Sequence, residues 1–204
     1  TVVSRIVSLP SINAKSRIRL SSRLATRGVP REEAVLSLFT AGAIGMVVAN
    51  KASIAGASGG CQAECGTASA MAAACIVELL GGTPEMAAHA VAIAIKCILG
   101  LVCDPVAGLV EIPCIKRNAS GVTLAFTAAE LALAGIKSAI PVDETIESLK
   151  RVGDGLPAAL RETAQGGLAI TPTGQAFERQ VFGTRSPLTG NPCSTCGSCG
   201  SCGS

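Results

Sequence analysis

The apolar positions of this chain fall at helical spacing in one block after another. Val35, Leu36, Leu38 and Phe39 open the first such face, directly after Gly28-Val29-Pro30-Arg31-Glu32-Glu33. Pro30 suits the first helical position, and the paired glutamates suit the positive end of a helix dipole. The run Ala55-Gly56-Ala57-Ser58-Gly59-Gly60 interrupts this pattern and predicts a loop. Residues 66–80 are almost wholly apolar and stop at Gly81-Gly82. Thr83-Pro84-Glu85 then starts another apolar helix, with Thr83 as cap and Pro84 as first helical residue; it runs over 84–99 and stops at Gly100. Two prolines and a glycine make residues 103–114 an ordered loop. A helix is predicted over 120–134, ended by Gly135, and shorter helices begin near Asp143, Pro157 and Thr173. No segment alternates as a strand would. The pattern therefore predicts an all-α fold, a compact helical domain around two apolar central helices, 66–80 and 84–99.

Composition raises the question of a membrane, because only 15% of residues are charged. The longest apolar stretch, 86–102, is interrupted by His89 and Lys96 and falls short of a clean span of about 20 residues. Its Ala- and Gly-rich character suits helices packed inside a protein, so no membrane association is expected. Residues 1–20 carry scattered Arg and Ser without an apolar core, unlike a secretory leader. A net charge of +3, with neither Trp nor Tyr, argues against nucleic acid. Ten cysteines in a chain of 204 residues are too dilute for a disulfide scaffold and point to cytoplasmic thiols that bind metal or a cluster.

Cys61 ends the glycine run, and Cys103 and Cys114 bracket the Asp-Pro loop. Thiols at loops and helix ends have backbone amides nearby, as iron–sulfur clusters require, and glycine lets the backbone come close. Spacing alone leaves a second reading open, in which all three are buried small hydrophobes.

Longer motifs narrow the choice. Ala41-Gly42-Ala43-Ile44-Gly45, Gly59-Gly60-Cys61-Gln62-Ala63-Glu64, Glu78-Leu79-Leu80-Gly81-Gly82-Thr83-Pro84-Glu85, Gly100-Leu101-Val102-Cys103-Asp104-Pro105 and Ile112-Pro113-Cys114-Ile115-Lys116-Arg117-Asn118 stand in this order, followed by Leu156-Pro157-Ala158-Ala159-Leu160-Arg161-Glu162-Thr163-Ala164 and Thr171-Pro172-Thr173-Gly174. Together they resemble the α chain of the iron–sulfur L-serine dehydratases over about residues 28–183.

The resemblance implies a 4Fe-4S cluster held by Cys61, Cys103 and Cys114, with one iron left open as a Lewis acid for the hydroxyl of L-serine. It implies an L-serine ammonia-lyase that forms pyruvate and ammonia without pyridoxal phosphate. It also implies a β chain or β domain as partner, an oligomer, and a cytoplasmic location. Ser53, Ser58, Gln62, Arg117 and Asn118 flank the ligand cysteines and are candidate substrate-binding residues. Arg117 suits a bidentate grip on a carboxylate, or equally a pair with a structural acid. Glu64 is the candidate general base if it is desolvated, or else a buried structural partner. Cys65 and Cys75 read as helix-core residues, and the only histidine, His89, as a core or interface residue. The rival reading is a non-catalytic iron–sulfur or thiol redox protein.

Two segments depart from the resemblance. Ser4-Arg5-Ile6-Val7 is not followed by the family's Pro-Thr-Ala-Gly-Ser loop, so residues 1–27 read as aberrant or truncated. Residues 184–204 carry Cys193, Cys196, Cys199 and Cys202 among Gly and Ser, and read as a flexible redox or metal-capturing tail in preference to a second cluster.

Overall fold

The computed structural model describes residues 29–183. The expectations for residues 1–27 and for the tail lie outside them. Among the described residues seven α-helices follow in order: α1 Arg31–Lys51, α2 Gly56–Gly59, α3 Thr67–Leu79, α4 Pro84–Lys96, α5 Cys114–Leu133, α6 Val142–Asp154 and α7 Pro172–Phe182. A π-helical turn, Gln62–Gly66, joins α2 to α3, and short 3-10 turns occupy Val106–Gly108, Ala158–Leu160 and Gly167–Ile170. Among the described residues the only β pairing is an isolated parallel bridge between Cys103 and Arg161. The all-α architecture is the one the apolar pattern predicts.

The centre is built from α3 and α4, against which α5 and α6 pack. Ala70, Ala73, Ala74 and Val77 of α3 and Ala90, Val91, Ala94 and Ile95 of α4 are fully buried. Alanine faces let helix backbones approach closely, so a core of small side chains is dense without aromatic residues. Thr83 caps α4 by accepting the Met86 N–H at 3.2 Å, with Pro84 next to it. Thr171 caps α7 in the same way, accepting the Gly174 N–H at 3.1 Å. Substituting Ile95, which has no exposed surface, by alanine is expected to cost about 2–4 kcal/mol, because the removed atoms leave a cavity. Urea unfolding of the two proteins checks this.

Three local differences from the sequence expectation matter for the site. Helix α5 starts at Cys114, not near Ser120: Pro113 ends the loop and the helix continues from it at once, which brings Arg117 and Asn118 onto its first turns. The helix expected near Pro157 is a single 3-10 turn. The glycine run is not open loop but contains the turn α2, and Gly60 follows it at φ 77. A side chain at Gly60 would be strained by that φ and would also meet Leu156 Cδ1 and the Leu101 carbonyl.

Helix α1 packs on one side only. By length and composition it is long and apolar enough to cross a membrane, and little of it is buried. The stretch weighed for that role in the sequence, 86–102, instead lies mostly within the buried helix α4. One side of α1 packs on α3, while Leu36, Leu38, Phe39 and Met46 are exposed, Phe39 by 73%. Among the described residues nothing covers this face, and apolar faces of this extent are uncommon on surfaces that meet only water.

Candidate functional site

Cys61 sits between the turn α2 and the π turn, and its amide region is drawn inward where Gln62 N–H donates to the Leu101 carbonyl at 2.9 Å. Cys103 is pinned from the opposite direction: its N–H donates to the Leu160 carbonyl at 2.9 Å and its carbonyl accepts the Glu162 N–H at 2.8 Å. Cys114 begins α5. Three segments distant in sequence thus deliver thiols to one region. Cys61, Cys65 and Cys103 form a buried cluster beside Ile98 and Leu101.

The electrostatics of these thiols reflect their proximity. Burial, then the contact with Cys65, pushes the Cys61 thiol up to about 12, while the Arg117 guanidinium pulls the other way. Burial, then the charges of Glu162, Cys61, Cys114 and Glu64, pushes the Cys103 thiol up to about 12. Cys114 is raised by burial and by Cys61, and Cys65 by burial, Glu64 and Cys114, each against the pull of Arg117. Thiols that disfavour one another's ionisation are a donor set that a cationic, thiophilic group would relieve.

Arg117 is the hub of this region. Its Nη1 donates to Asp104 Oδ1 at 2.7 Å and to the Val102 carbonyl at 2.9 Å. Burial works against its charge, yet the Asp104 carboxylate and Cys61 raise its pKa. Asp104, 3% exposed, also accepts the Leu168 N–H at 2.8 Å. Of the two uses open to Arg117, the pair with a structural acid is present.

Glu64 is exposed rather than buried. A methyl group placed on Gly56 would lie 3.1 Å from the Cys103 Sγ, 3.1 Å from Glu64 Oε2 and 3.4 Å from Glu162 Oε2. The bare backbone of Gly56 therefore lines a space edged by a thiol and two carboxylates. Glu162 lies in the stretch 156–164, apart from the candidate ligand and substrate-binding residues. Its signal is conformational: a non-glycine residue at φ 65, a strained geometry found at functional positions.

The remaining candidates divide. Asn118 comes to the cluster, where its Oδ1 accepts the Cys65 S–H at 3.3 Å. Gln62 does not face the space by Gly56. It has no exposed surface, and its amide donates to the Leu149 carbonyl and accepts the Gly100 N–H, both at 2.9 Å. That makes it a strut between the π turn, α6 and the end of α4, since a buried amide must spend its hydrogen bonds locally. Ser53 and Ser58 border a small cavity of about 20 Å³ with Lys150 and Asp154, and no cysteine lines it. Cys65, expected in the helix core, touches Cys61 with sulfur atoms 3.2 Å apart. Cys75 is half-buried and Cys97 exposed. His89 accepts the Ser138 N–H at 3.3 Å through Nδ1, a packing role between α4 and the turn before α6.

Among the described residues, no three His, Cys, Asp or Glu side chains are placed to hold a single metal ion. A cluster asks for something different, thiolates spread around a larger core. The buried thiols, the neighbouring arginine and the cradle at Gly56 fit that demand.

Fold and site together define a helical domain with a buried, multi-segment thiol centre. Residues 10–169 match the serine dehydratase alpha chain family, and the chain belongs to that family. It is 63% identical over 153 residues to the probable L-serine dehydratase, alpha chain, of Bacillus subtilis (strain 168), covering 75% of this chain and 51% of that protein. It is 58% identical over 153 residues to the probable L-serine dehydratase, alpha chain, of Latilactobacillus sakei, covering 75% of this chain and 73% of that one. With L-serine dehydratase 1 of Escherichia coli (strain K12) the identity is 48% over 133 residues, 65% of this chain and 29% of the relative. The chain thus spans about half the length of the first of these relatives and less than a third of the last.

Proposed function

We propose that this chain is the catalytic portion of an iron–sulfur L-serine dehydratase, in which Cys61, Cys103 and Cys114 hold a 4Fe-4S cluster. The observation that carries the reading is the gathering of these thiols from three distant segments beside Arg117 and the Glu64–Glu162 carboxylates. When bound, a cluster with three protein thiolates supplies a Lewis-acidic iron that assists departure of the serine hydroxyl.

The chain's own residues do the rest. Glu64, at the Gly56 cradle with Glu162 facing the same space, takes the α-proton once bound substrate shields it from water. Loss of the proton and of hydroxide, together one water, leaves aminoacrylate, which tautomerises to an imine and hydrolyses to pyruvate and ammonia. Arg117, held by Asp104, keeps positive charge next to Cys61, offsetting the negative charge that thiolates and substrate carboxylate bring.

A β chain is the proposed partner, in an oligomer. Support comes from the exposed apolar face of α1 and from relatives that are named alpha chains or are much longer. The reducing cytoplasm is the proposed location, since free thiols and an oxygen-labile cluster persist there. The test is anaerobic reconstitution of the chain with a matching β chain, followed by a pyruvate assay. Activity is expected under argon, lost in air and not restored by pyridoxal phosphate. Full activity in a metal-free, aerobically purified sample would contradict the proposal, and a requirement for detergent to keep the chain in solution would favour a membrane against α1 over a β chain.

A further inference from the structure

Cys65 is the thiol of the buried cluster that the proposed chemistry leaves without a task. We infer that Cys65 is a positioning residue: its S–H, steered by the Asn118 side chain, is a hydrogen-bond donor that, beside the Arg117 guanidinium, holds the Cys61 thiolate when Cys61 serves as a ligand. The inference rests on the iron–sulfur reading above.

The geometry is a short chain of contacts. Cys61 Sγ lies 3.2 Å from Cys65 Sγ, and Cys65 Sγ lies 3.3 Å from Asn118 Oδ1. With both cysteines protonated, Cys61 donates to Cys65 and Cys65 donates to Asn118. Ligation removes the Cys61 proton. The one thiol proton left in that contact is then on Cys65, and the hydrogen bond reverses to run from Cys65 S–H to the Cys61 sulfur. Asn118 accommodates the reversal because its amide carries both an acceptor and a donor, so that a turn of the side chain presents N–H to the Cys65 sulfur.

Cys65 does not serve as an additional ligand alongside Cys61. Sulfurs 3.2 Å apart are too close for two thiolates on different irons of one cluster, which stand roughly 6–7 Å apart. The pair is 2% and 5% exposed, and away from water a hydrogen bond to a thiolate is strengthened. Such donors draw charge from the ligand sulfur and raise the reduction potential of the group it binds. The π turn Gln62–Gly66 carries Cys65 at its last-but-one position, so the wider turn and the thiol contact coincide; π turns recur at functional positions.

The experiment uses the full chain, reconstituted anaerobically with ferrous iron and sulfide, and reads the cluster's midpoint potential by redox titration followed with electron paramagnetic resonance. Cys65→Ala is expected to shift the potential downward and to shorten the lifetime of the cluster's visible absorption in air. Cys65→Ser, which keeps a donor, is expected to return the potential to the wild-type value or above it. Asn118→Ala, at an exposed position, is expected to shift it in the same direction as Cys65→Ala but less far. Equal potentials for wild type and Cys65→Ala, or a Cys65→Ser shift as large as that of Cys65→Ala, would overturn the inference while leaving the cluster reading intact. Should Cys65→Ala not fold, an unshifted Asn118→Ala overturns it instead. A wild-type chain that takes up no iron and sulfide sinks the iron–sulfur reading itself, and the inference with it.

Discussion

Substitution of Cys103 by serine is expected to bring iron uptake to background and to lower serine-dependent pyruvate formation by a factor on the order of 10³ or more, the loss that follows when a Lewis acid worth about 4 kcal/mol of transition-state stabilisation is removed. Cys103 is 3% exposed and is fixed on both sides of its peptide by the pairing with Leu160 and Glu162. A serine there fits the space but is a poor ligand for a soft metal group. Cys61→Ser and Cys114→Ser are expected to behave alike, because each thiol comes from a different segment and none of the three substitutes for another. Cys97→Ser is the control: Cys97 is exposed at the end of α4, and its loss is expected to leave iron content unchanged. Iron and acid-labile sulfide, measured per chain after anaerobic reconstitution, decide the outcome. Full cluster content in Cys103→Ser would contradict the assignment.

The second large effect falls on the residue that follows Cys103 in the chain. Asp104→Ala is expected to destabilise the apo chain by about 3–5 kcal/mol, since it leaves the Arg117 guanidinium, 19% exposed, as an uncompensated charge. The same carboxylate accepts the Leu168 N–H and packs closely on Gly167, so its loss also loosens the turn Gly167–Ile170 from the cysteine loop. Asp104→Asn keeps an acceptor for Leu168 and is expected to fall between wild type and alanine. The shift in urea midpoint checks both variants. Midpoints that coincide across all three proteins would show that the ion pair contributes nothing.

Much of the architecture was legible because its signals are local. Thr83-Pro84 at the start of α4 states a cap and a first helical residue in adjacent letters, and α3 and α4 are apolar on nearly every side, which only a central helix tolerates. The start of α5 was less legible. Pro113 closes a loop and opens a helix at once, and reading it only as a loop residue displaced the helix by six positions (120 − 114). The ligand candidates came from a resemblance, not from spacing. The Gln62 N–H ties the Cys61 segment to Leu101, two residues before Cys103, a contact between distant segments that no spacing encodes.

What stayed hidden depends on backbone geometry that side-chain patterns do not encode. A π turn has no composition of its own, so Cys65 read as a core residue although its sulfur touches Cys61. Glu162 acquires its interest from a positive φ and from facing Gly56. Gln62, adjacent to a ligand candidate, looked available to substrate, yet the core takes up both ends of its amide. The exposed face of α1 carries helical periodicity like any buried helix, and only packing shows that nothing within the described residues covers it.

The most direct test of the central claim is the spectrum of the reconstituted cluster, recorded anaerobically with and without L-serine in the presence of a matching β chain. A dehydratase cluster held by Cys61, Cys103 and Cys114 has one iron that the protein does not ligate, and Mössbauer spectroscopy of ⁵⁷Fe-labelled protein is predicted to show that single iron site shifting as serine is added. A spectrum unchanged at saturating serine would contradict the account and would identify the thiol centre as an electron carrier or redox site.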